Sequence, residues 1–266
     1  DGRFVGSGAH NSGGDNLPFG RDAAIVDLMG DDRTIPVDAA YDPGFFPDNR
    51  GFMLQGGPRN TCAMSVLTAN PTEILMTEPG CAAIGEVGLY QHVGAAPGGD
   101  DYFAIDGPFV SDDGGHFVTS GNPRADFGAD AVAGLIPMVY DGSTFDAVDA
   151  IAIPTPYEGD PVLSPSARLL ITRVTGPQSV QNGYILRRVD ATPSGGSFDV
   201  ATPTIARYCL EGGKPAFSYD ERWMVIHHYV EDTDADAQAL GFVNAQDAGF
   251  APYVELGASN IYLVEL

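Results

Sequence analysis

Histidine and carboxylate carry most of the chemistry on offer in this 266-residue chain. His227 and His228 are adjacent at the end of an apolar run, and His10 lies far upstream. Imidazoles brought together hold a transition metal. Neighbouring residues on a strand point to opposite faces, so one ring of the His227-His228 pair at most faces any shared site. Glu231, Asp232, Asp234 and Asp236 alternate with small residues, a spacing that can wrap a hard cation such as Ca²⁺. The glycine and distal glutamate of an EF-hand loop are missing, so a solvated acidic loop is the plainer reading. Asp42, Asp106 and Asp160 each stand at the head of a similar segment. Paired carboxylates there could support glycoside hydrolysis; capping of strand-entry turns is the plainer role. Asp42 and Asp160 precede proline and Asp106 does not, so the three are not in strict register. No Gly-x-Ser-x-Gly elbow and no His-Glu-x-x-His helix motif occurs.

The net charge is −23, from 36 acidic and 13 basic residues, which argues against a nucleic-acid partner and against anionic lipid. It suits a solubilising surface or cation binding. No run approaches the roughly 20 apolar residues that a membrane helix needs, so no transmembrane segment is expected. With 34 glycines and 20 prolines the chain should be rich in turns and poor in long helices.

The elements that position these groups repeat. Lys214-Pro215-Ala216-Phe217-Ser218-Tyr219-Asp220-Glu221-Arg222 reads as a short strand and a polar turn, leading into the strand 223–226. Related segments lie at 42–50, 106–114 and 160–168, with anchoring prolines at Pro43, Pro108, Pro161 and Pro215. Residues 1–5 match the second half of the motif. Each copy leads into a strand, at 4–7, 51–54, 116–119, 169–172 and 223–226. A loop and a third strand follow, at 23–28, 63–67, 135–140, 184–189 and 260–266. A weaker fourth strand closes most units, as at 73–77 and 150–153.

Five antiparallel units that cannot each bury both faces predict an all-β, five-bladed β-propeller of four-stranded blades. The blades fall near 1–40, 41–100, 101–157, 158–211 and 212–266, in one domain. The Pro-x-Phe-Ser-x-Asp-x-Arg run and the closing Asn260-Ile261-Tyr262-Leu263-Val264-Glu265-Leu266 resemble the TolB-like, or WD40-like PD40, propeller repeat. Ser166-Ala167 and Asp48-Asn49 depart from it where that family favours Asp-Gly. The resemblance implies a propeller fold and leaves the activity open. Because Asp1 falls in mid-motif, flanking residues are expected to be missing, or the ring to close in an unusual way.

In a propeller the tight turns lie on one face and the other connections on the opposite face. The long connections here, 10–20, 55–60, 80–102, 120–134, 173–182 and 227–259, should therefore decorate one face, where binding residues concentrate. His10, Arg59, Arg124, Arg173 and His228 are the ligand-binding candidates there. The arginines suit an anionic group, or ion pairs with the many carboxylates. His10, His227 and His228 would meet if the first and fifth units close a ring. Cys62 and Cys81 fall on the same face, so a Cys62–Cys81 disulfide is expected, with Cys209 the free thiol; two reduced thiols are the alternative. A disulfide implies an exported, periplasmic or extracellular protein. The function expected is a binding or scaffold module that takes a protein, small-molecule or glycan ligand. The alternatives are a metal-binding protein or metal-dependent enzyme, holding Ca or a transition metal, and a carbohydrate-active hydrolase.

Overall fold

The computed structural model describes residues 4–7, 23–29, 33–37, 44–48, 51–53, 63–65, 92–97, 101–110, 127–140, 145–147, 150–178, 181–229, 233–239, 241–249 and 259–266. They are mostly β, in antiparallel sheets that follow one another along the chain. The first sheet is β1 (Phe4–Ser7), β2 (Ala23–Asp27) and β3 (Arg33–Val37). The second is β4 (Gly44–Phe45), β5 (Gly51–Met53) and β6 (Ala63–Ser65). The third comprises β7 (His92–Ala95), β8 (Tyr102–Val110), β9 (Ala131–Tyr140), β10 (Phe145–Ala147) and β11 (Ile151–Pro154). Here β10 and β11 pair with successive stretches of β9. The fourth sheet has the order β12 (Glu158–Leu163), β13 (Leu169–Val174), β14 (Gly183–Arg188), then the strand Thr204–Tyr208. Between its last two strands a ribbon is inserted, β15 (Asp190–Ser194) with β16 (Ser197–Ala201), which makes Thr204–Tyr208 strand β17. The fifth is β18 (Ala216–Phe217), β19 (Trp223–Tyr229) and β20 (Ser259–Glu265). Two short helices, α1 (Asp234–Ala239) and α2 (Ala245–Ala248), lie between β19 and β20. Among the described residues no helix is long and apolar enough to cross a membrane. The expected strands at 73–77 and 116–119 lie outside the described residues.

Several strand starts differ from expectation: β12 begins at Glu158, two residues ahead of Asp160, and β9 begins at Ala131 rather than 135. The motif copy at 106–114 predicts an inner strand beginning at Asp106. Asp106 instead lies inside β8, paired with Gly134, and the ladder loses register between Asp106 and Phe109. Pro108 has no N–H to donate, so it marks an irregularity within a strand rather than the entry to one.

Period-two alternation explains why the fourth sheet needs neighbours on both sides. Leu163 and Leu170 pack with Phe103, Ile105 and Leu135 of the third sheet. Val162 and Ile171, one residue away along the same strands, pack with Met224 and Ile226 of the fifth. Leu170 and Ile171 are both fully buried. Each such side chain stabilises the fold by roughly 1.5–3 kcal/mol through removal from water. The inserted ribbon folds back on the same core, with Phe198 edge-on to Phe103 at 4.8 Å.

The repeat is visible at the level of single hydrogen bonds. In the turn between β12 and β13, Ser164 N–H donates to Leu169 O and Ala167 N–H to Ser164 O, at 2.9 and 2.8 Å. Leu169 N–H donates to Ser164 Oγ at 3.1 Å. In the turn between β18 and β19, Ser218 takes the place of Ser164. Ser218 N–H donates to Trp223 O (2.9 Å), Glu221 N–H to Ser218 O (3.0 Å) and Trp223 N–H to Ser218 Oγ (3.0 Å). Ala167 and Glu221, at matching positions, both take a left-handed backbone, φ 53° and 55°. The two turns also touch: Glu221 accepts from Ser166 N–H at 2.5 Å and from Ser166 Oγ–H at 2.7 Å.

Similar contacts link the other sheets in chain order. Phe4 stacks on Phe45 at 6.2 Å, and Phe46 on Tyr102 at 4.8 Å. Tyr102 donates its hydroxyl to Asp48 at 2.6 Å, and Ala95 N–H donates to Pro165 O at 2.8 Å.

Candidate functional site

In an antiparallel sheet, the start of one strand lies beside the end of the next. At the end of the fourth sheet away from the Ser164 turn, the start of β12, the end of β13, the start of β14 and the end of β17 therefore converge. The connection from β13 to β14 emerges there too. This end encloses a cavity of about 580 Å³. Glu158, Arg187, Tyr157, Asn182, Arg207 and Tyr208 are among the residues that line it.

Its floor is a charge pair. Glu158 and Arg187 are 2% and 7% exposed, a depth at which an unpaired charge is not tolerated. Arg187 grips the carboxylate with two nitrogens: Nη1 on Oε2, and Nη2 on Oε1 at 2.6 Å. Thr172, also buried, donates Oγ1–H to Glu158 Oε2 at 2.5 Å. Both carboxylate oxygens are thus occupied. Parallel guanidinium–carboxylate bonds of this kind fix geometry as well as supply energy.

The entry to β12 is held in uncommon backbone. Tyr157 and Asp160, on either side of the Glu158-Gly159 pair, have φ of 62° and 47°. Such conformations cost on the order of 1–3 kcal/mol and persist only where surrounding contacts impose them. Tyr157 N–H donates to Gly128 O at 2.7 Å, and Thr175 N–H donates to Tyr157 O at 2.9 Å. Asp160 pairs with Arg173 Nη2 at 2.9 Å. Tyr208, half-buried at the cavity edge, has its hydroxyl pKa raised by burial, so the phenol keeps its proton.

Arg173 is expected in a loop of the decorated face. It lies instead within β13, because the alternation of that strand runs on to Val174. Its guanidinium stacks 4.7 Å from the Phe127 ring and bonds Asp160, and Nη1 reaches Gly212 O at 3.5 Å. Its Nε is buried and makes no hydrogen bond. Arg173 therefore ties the third, fourth and fifth sheets together. Asp160 is engaged by it, which weakens the reading of Asp160 as a free catalytic carboxylate.

His227 and His228 also lie within a strand, β19, rather than after one. Gly213 N–H donates to His227 Nε2 at 2.7 Å, and His228 Nδ1 donates to Glu211 O at 2.8 Å. Tyr184 donates its hydroxyl to His227 O at 2.7 Å. Gly212 is required at this joint: a Cβ there would sit 1.8 Å from His227 O and 2.3 Å from the Tyr184 hydroxyl. The pKa of His227 is lowered, by burial first and then by the Arg173 charge, with His228 adding a smaller push the same way. A neutral ring that accepts at Nε2 is what the Gly213 bond needs. Among the described residues no group of three or more His, Cys, Asp or Glu is placed to hold a metal ion.

The acidic stretch is expected as a loop, solvated or wrapped on a cation. Asp234 and Asp236 instead belong to helix α1, and Asp234 Oδ1 accepts from Ala245 N–H at 2.9 Å. The Asp-Ala-Asp-Ala-Gln-Ala run favours helix, and acidic residues in a first turn complement the helix dipole. Asn244 caps α2 by accepting from Asp247 N–H at 2.8 Å. His10, Arg59, Arg124, Asp232, Asp42 and the Cys62–Cys81 pair lie outside the described residues. Cys209 is exposed and carries no disulfide.

The cavity residues Glu158, Arg187, Arg207 and Tyr208 were not among the candidates drawn from sequence. A signal for Arg187 exists: it follows Tyr184-Ile185-Leu186 in a strand that reads as buried, so it demands a buried acid. The acid's identity does not follow, since Glu158 is one of 36 acidic residues in the chain.

No family model matches the chain, and no curated protein matches it. Among solved structures it is similar to the hydrazine synthase of Kuenenia stuttgartiensis, at 10% identity over 92% of this chain and 78% of that one, with a TM-score of 0.42. It is similar also to PpgL, a periplasmic gluconolactonase of Pseudomonas aeruginosa, at 18% identity over 84% of this chain and 74% of that one, with a TM-score of 0.37. At these values neither likeness defines the fold or the activity of this chain.

Proposed function

We propose that the chain is a five-bladed propeller of the TolB-like kind that acts as an exported binding module, with its ligand site in the cavity at the loop end of the fourth sheet. The observation that carries this reading is the cavity itself, about 580 Å³ where four strands converge. That volume is in the range that takes a small molecule or a short glycan. Stacked sheets linked in chain order support the propeller. Binding is favoured over hydrolysis because Glu158, the carboxylate in the lining, is held on both oxygens by Arg187 and Thr172. Such a carboxylate shapes a site and does not shuttle protons.

The test is a thermal-shift and calorimetric screen of neutral and acidic oligosaccharides and small metabolites against the wild type and Tyr208→Ala. The reading predicts at least one ligand whose affinity falls about tenfold or more in Tyr208→Ala, with a thermal melt verifying that the variant is folded, because Tyr208 packs on the core shared with the fifth sheet. Ligands that bind equally well to both proteins would place the site elsewhere.

A further inference from the structure

The cavity has an unequal supply of hydrogen-bonding groups. Its carboxylate is consumed by the Arg187 and Thr172 bonds. Beyond Arg187, whose guanidinium meets that carboxylate, its donors are not consumed. The register places Arg207 opposite Ile185, on the face that also carries Arg187 two residues further along β14. Arg207 makes no ion pair and no side-chain hydrogen bond among the described residues. Asn182 commits its Oδ1 to Gly176 N–H at 3.1 Å, which fixes the amide and leaves its NH₂ to donate. The Tyr208 hydroxyl keeps its proton and has no protein partner among the described residues. Three donors of different reach, one of them a guanidinium, thus border one cavity. The uncompensated charge among these named groups is positive, in a chain of net charge −23. A neutral polyol brings hydroxyl donors along with its acceptors. An oxyanion offers acceptors alone, and it matches the fork of a guanidinium.

We infer that the cavity takes a ligand bearing an oxyanion, a carboxylate or a phosphate, seated on Arg207 with Asn182 as a neutral donor; Tyr208, paired with Tyr184 and leaning toward the fifth sheet, borders the cavity only at the strand end. This rests on the cavity being the ligand site. The class it points to is an acidic sugar or a similarly small polar acid.

The test is isothermal titration of the full chain with three probes: a trigalacturonate, a neutral trisaccharide and a sugar phosphate. Wild type, Arg207→Gln and Arg207→Lys are compared. The expected result is that one or both acidic probes bind about tenfold or more tighter than the neutral one. Arg207→Gln removes that advantage by weakening acidic binding far more than neutral binding, and Arg207→Lys keeps part of it. The acid that binds better identifies the oxyanion. Equal binding of neutral and acidic probes, unchanged in Arg207→Gln, overturns the inference and leaves the cavity standing as a site if Tyr208→Ala still weakens it. Acidic binding that survives both Arg207→Gln and Tyr208→Ala overturns the inference and the cavity together. Arg207 is exposed and on an edge strand, so its variants should fold; unchanged thermal unfolding verifies this.

Discussion

The two ends of the fourth sheet are built on different principles. At the Ser164 end, a serine organises its own turn through three short-range hydrogen bonds, and the Ser218 turn of the fifth sheet repeats the set bond for bond. At the other end no such set recurs among the described residues. A glutamate and an arginine 29 residues apart meet in a buried pair that the serine turns lack, whereas left-handed backbone and a cavity, about 560 Å³ at the serine end and 580 Å³ here, occur at both ends. The repeat thus supplies the scaffold, and the candidate site arises where the repeat lapses. Buried charge gathers at the end free to vary, as expected where rigid elements present variable connections.

The largest effect should come from the irregular end. Arg187→Met leaves Glu158 buried without a counter-charge and should cost about 3–5 kcal/mol in urea unfolding. Adding Glu158→Leu should recover most of that loss, since an apolar pair of similar volume replaces the ion pair. A double variant as unstable as the single one would show that the pair is not the floor of the cavity.

The regular end should respond less, and evenly. Ser164→Ala and Ser218→Ala each remove one Oγ acceptor from an equivalent turn and should each cost about 1 kcal/mol. Losses that differ by more than about 1 kcal/mol would break the equivalence of the two turns. Glu221→Gln should weaken the link between them, because the carboxylate then no longer offers two charged acceptors to Ser166.

The smallest effect is a pH dependence at the joint between the fourth and fifth sheets. The folded state lowers the pKa of His227, so below the ordinary value near 6.5 the unfolded chain takes up a proton that the folded chain resists. Its stability contribution is complete above that value and declines as pH falls through the folded pKa. His227→Gln should flatten this part of the stability profile in thermal melts at pH 7 and pH 5. An unchanged slope would remove His227 from the account.

How much of this was legible in sequence follows the same division. The Ser218 turn and the strands on either side of the two turns could be read, because propensity, alternation and turn chemistry are local. β1, β13, β14 and β19 all begin within a residue of where the motif puts them. Asp106 misled because a proline can sit inside a bulged strand as well as ahead of one. Arg173 and His227 were assigned to loops because a polar residue looks like a strand end, whereas both are strand residues partnered across sheet joints. Asp234 and Asp236 suit a solvated or cation-wrapping loop in sequence, but their spacing with alanine also makes a helix. The Glu158–Arg187 pair stayed hidden because it is a long-range choice among many carboxylates.

Hydrogen–deuterium exchange in the presence and absence of the tightest-binding probe compares the two ends of the sheet in one experiment. Protection gained in 174–182 and 204–209, with 164–169 and 218–223 unchanged, is the predicted result. Protection gained at the serine turns, with the irregular end unaffected, would contradict it.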